Sequence, residues 1–314
     1  MRQTLMILLL AIALAGISGC SGTVHEGKIE LPAILNDGQT PEFLMDAVRA
    51  YQNDNLKEAK EIAKDWLDEN EESLLADRAM FIKATALYQE HSYYSAAEQY
   101  KKLIELHDGS VISDLSVAKQ VELAELFLNG ATRLLMGFLP VKARTDGLAL
   151  LDDVSEYRPG SDISAKALMM AADYYFKTEQ YLEAQSYCQM LLDTCPKSPQ
   201  AQRAMLLNGY STHWQYRGFA YDTNCLNEAL VRYQQYQLYY PEDAKEKNIQ
   251  GQIDLVRTQQ ALKIFDIADF YLRTGETEAA VKSWESVVRD FPDSQWEKSA
   301  MAKIQEYGNE IDEN

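Results

Sequence analysis

Between residues 261 and 294 apolar side chains recur at three- and four-residue spacing, stop, and start again. Ile264, Ile267, Ala268 and Tyr271 fall on one helical face, Gly275 breaks the helix, and Ala280, Trp284, Val287 and Val288 resume the period until Pro292. The small Ala268 and Ala280 stand where two antiparallel helices would cross most closely. A unit of this kind cannot bury its apolar face alone, so it requires stacked neighbours.

The rest of the chain supplies them. With the small residue of each second helix as the marker, Ala59, Ala97, Gly147, Ala184, Ala229 and Ala280 take one equivalent position and six units result. A helix-turn-helix period of 34 residues is that of the tetratricopeptide repeat. The expectation is therefore an all-α protein, a tetratricopeptide-repeat superhelix of about six repeats over residues 40–312. The first, second and fourth units are regular: Phe43, Ala47, Tyr51 with Leu56, Ala63, Trp66; Phe81, Ala84, Tyr88 with Tyr94, Tyr100, Ile104; Leu168, Ala171, Ala172, Tyr175 with Tyr181, Leu191, Leu192. In the third, residues 115–138 read as one long apolar-rich helix and Gly147 stands where Ala is usual. The fifth has helices over 201–214 and 226–240, joined by a connection at 217–224 long enough to form a binding loop. Pro159, Pro196, Pro241 and Pro292 are each followed two residues later by Ser161, Ser198, Asp243 or Ser294, side chains able to cap the next helix. The proline spacings of 37, 45 and 51 residues place surplus length after Asp243 and predict an extended helix from Ala244 to Leu272.

The first twenty residues follow another pattern. Arg2, an apolar run over 5–17 and Ser18-Gly19-Cys20 have the three-part form of a secretion signal, too short to span a bilayer core of about 30 Å. Gly16-Ile17-Ser18-Gly19-Cys20 resembles the bacterial lipobox. That resemblance implies removal of residues 1–19, acylation of Cys20 with palmitate-class chains, and, since Ser21 follows, export to the outer membrane. The alternative is an ordinary cleaved signal with an incidental Cys. Residues 20–39, with Gly22, Gly27, Pro32 and Gly38 and no helical period, read as a flexible tether.

Charge and composition narrow the function. The 30 Lys and Arg against 48 Asp and Glu give a net charge of −18, which repels nucleic acid and anionic surfaces. Metalloprotease, esterase, phosphate-loop and dinucleotide motifs do not occur, and His25, His91, His107 and His213 lack ligand spacing. Ser116-Val117-Ala118-Lys119 has the Ser-x-x-Lys form of penicillin-recognising enzymes without its companion motifs, and reads as chance. No enzyme, metal or cofactor is expected. Cys188 and Cys195 are seven apart on one helix, about 10.5 Å of rise and beyond disulfide reach. Pairing of Cys225 with either is left open beside buried free thiols.

First-helix positions that would face a groove begin apolar, with Leu44, Val48, Tyr51 and Ile82. Further along they hold Met136, Met169, Asp173, Phe176, Lys177, Phe265, Asp269 and Arg273. The four apolar positions form a candidate peptide groove, with packing against the next repeat as the competing role. The Lys and Asn pair that clamps a chaperone's C-terminal carboxylate in some arrays is replaced by Leu44 and Val48, or Ile82 and Ala86.

In the last third, Asn248-Ile249-x-x-Gln252-Ile253, then Ala268-Asp269-Phe270-Tyr271-Leu272-Arg273-Thr274-Gly275, then Val288-Arg289-Asp290-Phe291-Pro292-Asp293-Ser294-Gln295 resembles the closing repeat of the BamD family, tetratricopeptide lipoproteins of outer-membrane β-barrel assembly. The similarity covers residues 230–301. This chain departs from it in having six repeats rather than five, and Lys282-Ser283 where the family carries Asn-Arg. The resemblance implies a lipid-anchored, periplasm-facing scaffold on the outer membrane. Its partners would be the periplasmic domain of a barrel-forming subunit, other assembly lipoproteins and unfolded outer-membrane proteins. The implied docking residues are Arg273, Lys282, Arg289 and Asp290. The alternative is a generic repeat lipoprotein serving envelope maintenance, secretion or pilus assembly.

Overall fold

The computed structural model describes residues 30–312 apart from 37, 39, 136, 137 and 219–223. The signal peptide, Cys20, Met136 and most of the fifth-repeat connection lie outside the described residues.

Helical hairpins account for most of the described chain. In one compact unit, Met1–Pro159, α1 (Glu42–Gln52) packs on α2 (Leu56–Asn70), α3 (Ala76–Gln89) on α4 (Tyr93–Leu106), and α5 (Val111–Leu128) on α6 (Arg144–Tyr157). In the other, Gly160–Asn314, α7 (Asp162–Lys177) packs on α8 (Tyr181–Thr194), α9 (Ala201–Trp214) on α10 (Asn224–Tyr239), and α12 (Ile249–Thr274) on α13 (Thr277–Asp290). A short α11 (Pro241–Glu246) precedes α12, and α14 (Gln295–Asp312) closes the unit against α13. These are the six expected hairpins.

Their turns share one construction. Asp54, His91 and Glu179 adopt positive φ of 66°, 60° and 62°, as do Gly130 at 109° and Gly275 at 86°. The following N–H reaches back five residues: Asn55 to the carbonyl of Ala50, Ser92 to Leu87, Ala131 to Leu126, Gln180 to Tyr175 and Glu276 to Tyr271. This left-handed closure satisfies carbonyls that a helix end leaves unpaired. It also fixes the register, because the marker residue donates to the carbonyl of that link residue: Ala59 to Asn55, Ala184 to Gln180 and Ala280 to Glu276. In the second repeat the residue so placed is Ala96, donating to Ser92, and not Ala97. Ala59, Ala96, Ala184, Ala229 and Ala280 are all fully buried at the helix crossings.

The third repeat departs from the expectation of one helix over 115–138. The helix α5 ends at Leu128 in the same turn, with Gly130 at its left-handed position. The chain then forms an antiparallel hairpin, β1 (Thr132–Leu135) and β2 (Leu139–Lys142), in which Thr132 pairs with Lys142 and Leu135 with Leu139. Ala143 N–H bonds the Ala131 carbonyl at 3.2 Å and Gly147 N–H bonds the Ala143 carbonyl at 2.9 Å, so α6 starts as though it followed Ala131 directly. The hairpin is thus an insertion that leaves the repeat register intact. An apolar count cannot separate helix from strand here, but Gly130 ends the first and Pro140 forbids its continuation. Among the described residues the architecture is accordingly all-α apart from this two-stranded sheet.

Gly147 has its own reason. A Cβ built there would lie 3.0 Å from the carbonyl oxygen of Ala124, 3.0 Å from Cβ of Phe127 and 3.4 Å from Cγ of Leu128. The helices α5 and α6 cross too closely for the alanine used in the other repeats.

The caps were only partly legible. Ser161 Oγ accepts from Ser164 N–H at 3.2 Å as expected. Asp243 lies inside α11, where Pro241 starts the helix at its first turn and the carboxylate bonds Lys247 and the Tyr236 hydroxyl. Ser198 and Ser294 hydroxyls make no such bond. The long helix is interrupted: Asn248, at φ 50°, separates α11 from α12, whose 26 residues run about 39 Å. Ahead of α1, Leu35 is fully buried, Leu31 packs beside Tyr51 and Ala59, and Thr40 accepts a buried bond of 2.6 Å from Arg78. The tether is therefore docked from about residue 31 onward.

Candidate docking surfaces

The apolar groove positions are filled. Leu44, Val48, Tyr51 and Ile82 are each at most 1% exposed. Burial pushes the Tyr51 hydroxyl up to about 12, a value for a phenol held away from water. Side chains this enclosed cannot line an open groove, so these four pack between helices, and the groove assigned to them is withdrawn. Met169 and Phe265 are buried likewise, Phe265 against the rings of Trp284 and Trp296. Asp173 accepts from Arg203 Nη2 at 2.7 Å; its carboxyl is raised because burial outweighs the pull of Arg203.

The four residues of the closing repeat are all at the surface. Lys282 and Arg289 are seven apart on α13 and share a face with Glu278 and Glu285, about 10.5 Å apart along the axis. Lys282 bonds Glu278 at 2.5 Å with both side chains about two-thirds exposed. Arg289 grips Asp290 with Nε and Nη2, each at 2.9 Å. These pairings raise Lys282 and Arg289 and lower Glu278 and Asp290 from their ordinary values, in each case through the hydrogen bond itself. Arg273 is exposed in the last turn of α12, beyond the opposite end of α13. The structure thus presents an alternating-charge stripe with Arg273 at one end rather than one cluster. Of the aromatics in the same motif, Tyr271 and Phe291 pack partly buried against the cluster that holds Ala268, Trp284 and Val287, while Phe270 is 53% exposed.

Ser116 and Lys119 do not form a nucleophile pair. The Ser116 hydroxyl is buried and donates to the Ile112 carbonyl at 2.8 Å, while Lys119 reaches Glu122 at 2.7 Å. Cys188 and Cys195 are buried free thiols, so neither is bridged to Cys225, and burial pushes the Cys188 thiol far above its usual range.

Two features were not read from the sequence. His213 on α9 bonds the Tyr233 hydroxyl of α10 at 3.2 Å through Nδ1 and Gln259 of α12 at 2.8 Å through Nε2, tying the fifth repeat to the sixth. A lone His on an apolar stretch carries no signal for that. The second is the β-hairpin, exposed at Leu134, Phe138 and Leu139.

A stack of helical hairpins with left-handed turns and small residues at each crossing is a tetratricopeptide-type repeat protein, whose surfaces serve binding. Residues 143–313 match the YfiO family, described as an outer membrane lipoprotein, and the chain belongs to that family. It is 26% identical over 136 residues to the outer membrane protein assembly factor BamD of Caulobacter vibrioides, a match covering 43% of this chain and 45% of that protein. The chain thus spans under half the length of the curated relative it matches. Among solved structures it is similar to a tetratricopeptide repeat protein from Parabacteroides merdae, at 14% identity over 84% of this chain and 98% of the other, with a TM-score of 0.36. The C-terminal part of a TPR repeat-containing protein from Cytophaga hutchinsonii has 12% identity over 83% and 99%, with a TM-score of 0.26. The hairpin and the first two repeats lie ahead of the family match.

Proposed function

We propose that this protein is a non-enzymatic scaffold of outer-membrane β-barrel assembly, lipid-anchored through Cys20 on the periplasmic side. Membership of the outer membrane lipoprotein family supports the location, and the similarity to an assembly factor supports the process. The observation that carries the reading is the division of labour inside the closing motif. Trp284, Ala268 and Ala280 are fully buried and Tyr271 and Phe291 are partly buried against that core, whereas Arg273, Lys282, Arg289 and Asp290 stay in solvent beside the half-exposed Phe270. Solvent screens charge pairs this exposed, so the fold does not need them. A guanidinium that exchanges Asp290 for a partner's carboxylate loses little and gains a bidentate contact, which suits a reversible interface with the barrel-forming subunit's periplasmic domain.

Affinity purification of the acylated chain from detergent-solubilised membranes tests this. A barrel-forming subunit is expected to co-purify. Reversal of Arg289 to Glu together with Lys282 to Glu is expected to weaken its recovery at least about tenfold, or about 1.4 kcal/mol, at unchanged melting temperature. Recovery of a peptidoglycan hydrolase or a secretin in its place would move the protein to the envelope-maintenance alternative.

A further inference from the structure

The inserted hairpin combines three features. It is unnecessary to the repeat, whose register continues from Ala131 to Arg144 without it. Its eight residues 134–141, Leu-Leu-Met-Gly-Phe-Leu-Pro-Val, hold no charged side chain and are bracketed by Arg133 and by Lys142 and Arg144; from 130 to 145 the chain has no Asp or Glu although its net charge is −18. Its large side chains face water: Leu134 is 62% exposed, Phe138 74% and Leu139 49%.

The side that faces the protein is equally defined. Arg133 lies over the Tyr94 ring at 5.3 Å and reaches Asp146 at 3.2 Å, which fixes the base of the hairpin on α4 and α6. Alternation along the strands then turns Thr132, Leu134, Pro140 and Lys142 to the outer face, all four exposed, while Leu139 lies on the Arg133 face but at the turn end of the hairpin, where it is still 49% exposed.

Pairing with another strand fits poorly. The bond from Ala143 to Ala131 makes 131:143, 133:141 and 135:139 the hydrogen-bonded pairs, so the groups of Thr132, Leu134, Pro140 and Lys142 point away from the partner strand. Pro140 has no N–H, which spoils the outer edge of β2, and β1 offers only Thr132 and Leu134. Exposed Leu134, Phe138 and Leu139 beside Lys142 and Arg144 suit instead the boundary of a membrane with anionic headgroups, where large apolar side chains enter the acyl region and Lys and Arg meet phosphate. We propose that the hairpin is a second membrane contact, inserting Leu134, Phe138 and Leu139 into an anionic lipid surface. The described residues begin at Glu30, ten residues after Cys20, so an anchor there would hold the start of the unit that carries the hairpin within roughly 35 Å of the membrane. That proximity rests on the Cys20 anchor proposed above; the hairpin's composition does not.

The test uses the full chain with Cys225→Ser, and also Cys20→Ser in the arm not held by acyl chains, carrying either Phe138→Cys or, as reference, Leu74→Cys, a residue 92% exposed elsewhere in the unit. Each is labelled with an environment-sensitive fluorophore and held on vesicles of phosphatidylethanolamine and phosphatidylglycerol, roughly 3:1, with and without a nitroxide-bearing quencher lipid. One arm holds the chain by its own acyl chains, and the other by a histidine tag on a nickel-chelating lipid, so that failure of the anchor is distinguishable from failure of the hairpin. At 138 the emission is expected to shift blue and to be quenched about threefold more than at 74. The difference should shrink when phosphatidylcholine replaces phosphatidylglycerol, or with Lys142→Glu and Arg144→Glu. Water-like, equally unquenched emission at both sites in the tagged arm would overturn the proposal. So would shielding of 138 that arises only when a solubilised partner protein is added.

Discussion

Replacing Gly147 by alanine sets two opposed effects against each other in a helix interior. Alanine is favoured over glycine there by about 0.8–1.0 kcal/mol. Against this, the new methyl would stand 3.0 Å from both the Ala124 carbonyl oxygen and the Phe127 Cβ. Neither atom is the end of a flexible side chain, so relief requires moving α6 off α5, and overpacking of that kind costs about 1–3 kcal/mol. The expected net change is a destabilisation of about 1 kcal/mol, rising to more than about 2 kcal/mol for Gly147→Val, which adds two methyls and a β-branched penalty. The converse change, Ala184→Gly, loses helix propensity and a buried methyl and should also destabilise, by about 1–2 kcal/mol. Both directions are unfavourable because each crossing has its own spacing. A chain of two compact units need not unfold in one step, so the measurement is hydrogen exchange of the amides in Val111–Leu128 and Arg144–Tyr157 for Gly147 and in Asp162–Lys177 and Tyr181–Thr194 for Ala184, with about 1.4 kcal/mol read as a tenfold change in rate. Slower exchange in Gly147→Ala, by the full propensity gain, would refute the close-crossing account.

Deleting residues 132–143 should join Ala131 to Arg144 in register, leaving helix content and the protection of α5 and α6 within about 1 kcal/mol of the parent; circular dichroism and exchange check this. Arg158 reaches Asp108 and Asp114 at 2.8 Å each, Ser113 Oγ at 3.2 Å and the Tyr157 carbonyl at 2.8 Å. Its change to Met should cost about 1–2 kcal/mol after allowance for the exposure of both aspartates, seen as faster exchange at the start of α5. Burial holds His213 below its ordinary value of 6.5. The unfolded chain therefore takes up that proton first, and stability present above pH 6.5 is lost as pH falls below it, by at most about 1.4 kcal/mol per pH unit. Melting temperatures at pH 7.5 and 5.5 should differ less in His213→Asn than in the parent. Cys20→Ala should leave the chain unprocessed by the lipoprotein route and out of the outer-membrane fraction; unchanged fractionation and mass would count against the anchor.

The hairpin order, the helix span 201–214 and the burial of Ala59, Ala184, Ala229 and Ala280 follow from apolar spacing, because each repeat's packing is with sequence neighbours. Arg289 and Lys282 were singled out through the family resemblance, and their exposure agrees with positions off the apolar face of an amphipathic helix. What the tertiary structure decided lies where spacing is ambiguous or where distance matters. The run 134–141 is uncharged and fits either period, and only the return of Ala143 to Ala131 decides for the strands Thr132–Leu135 and Leu139–Lys142. Leu44, Val48, Tyr51 and Ile82 sit at helix positions that either line a groove or meet a neighbour, and only packing shows that they are enclosed. Gly147 reads as a weak alanine until α5 is placed 3.0 Å away. His213 finds Tyr233 and Gln259 across three helices, a juxtaposition set by how repeats stack rather than by any local pattern.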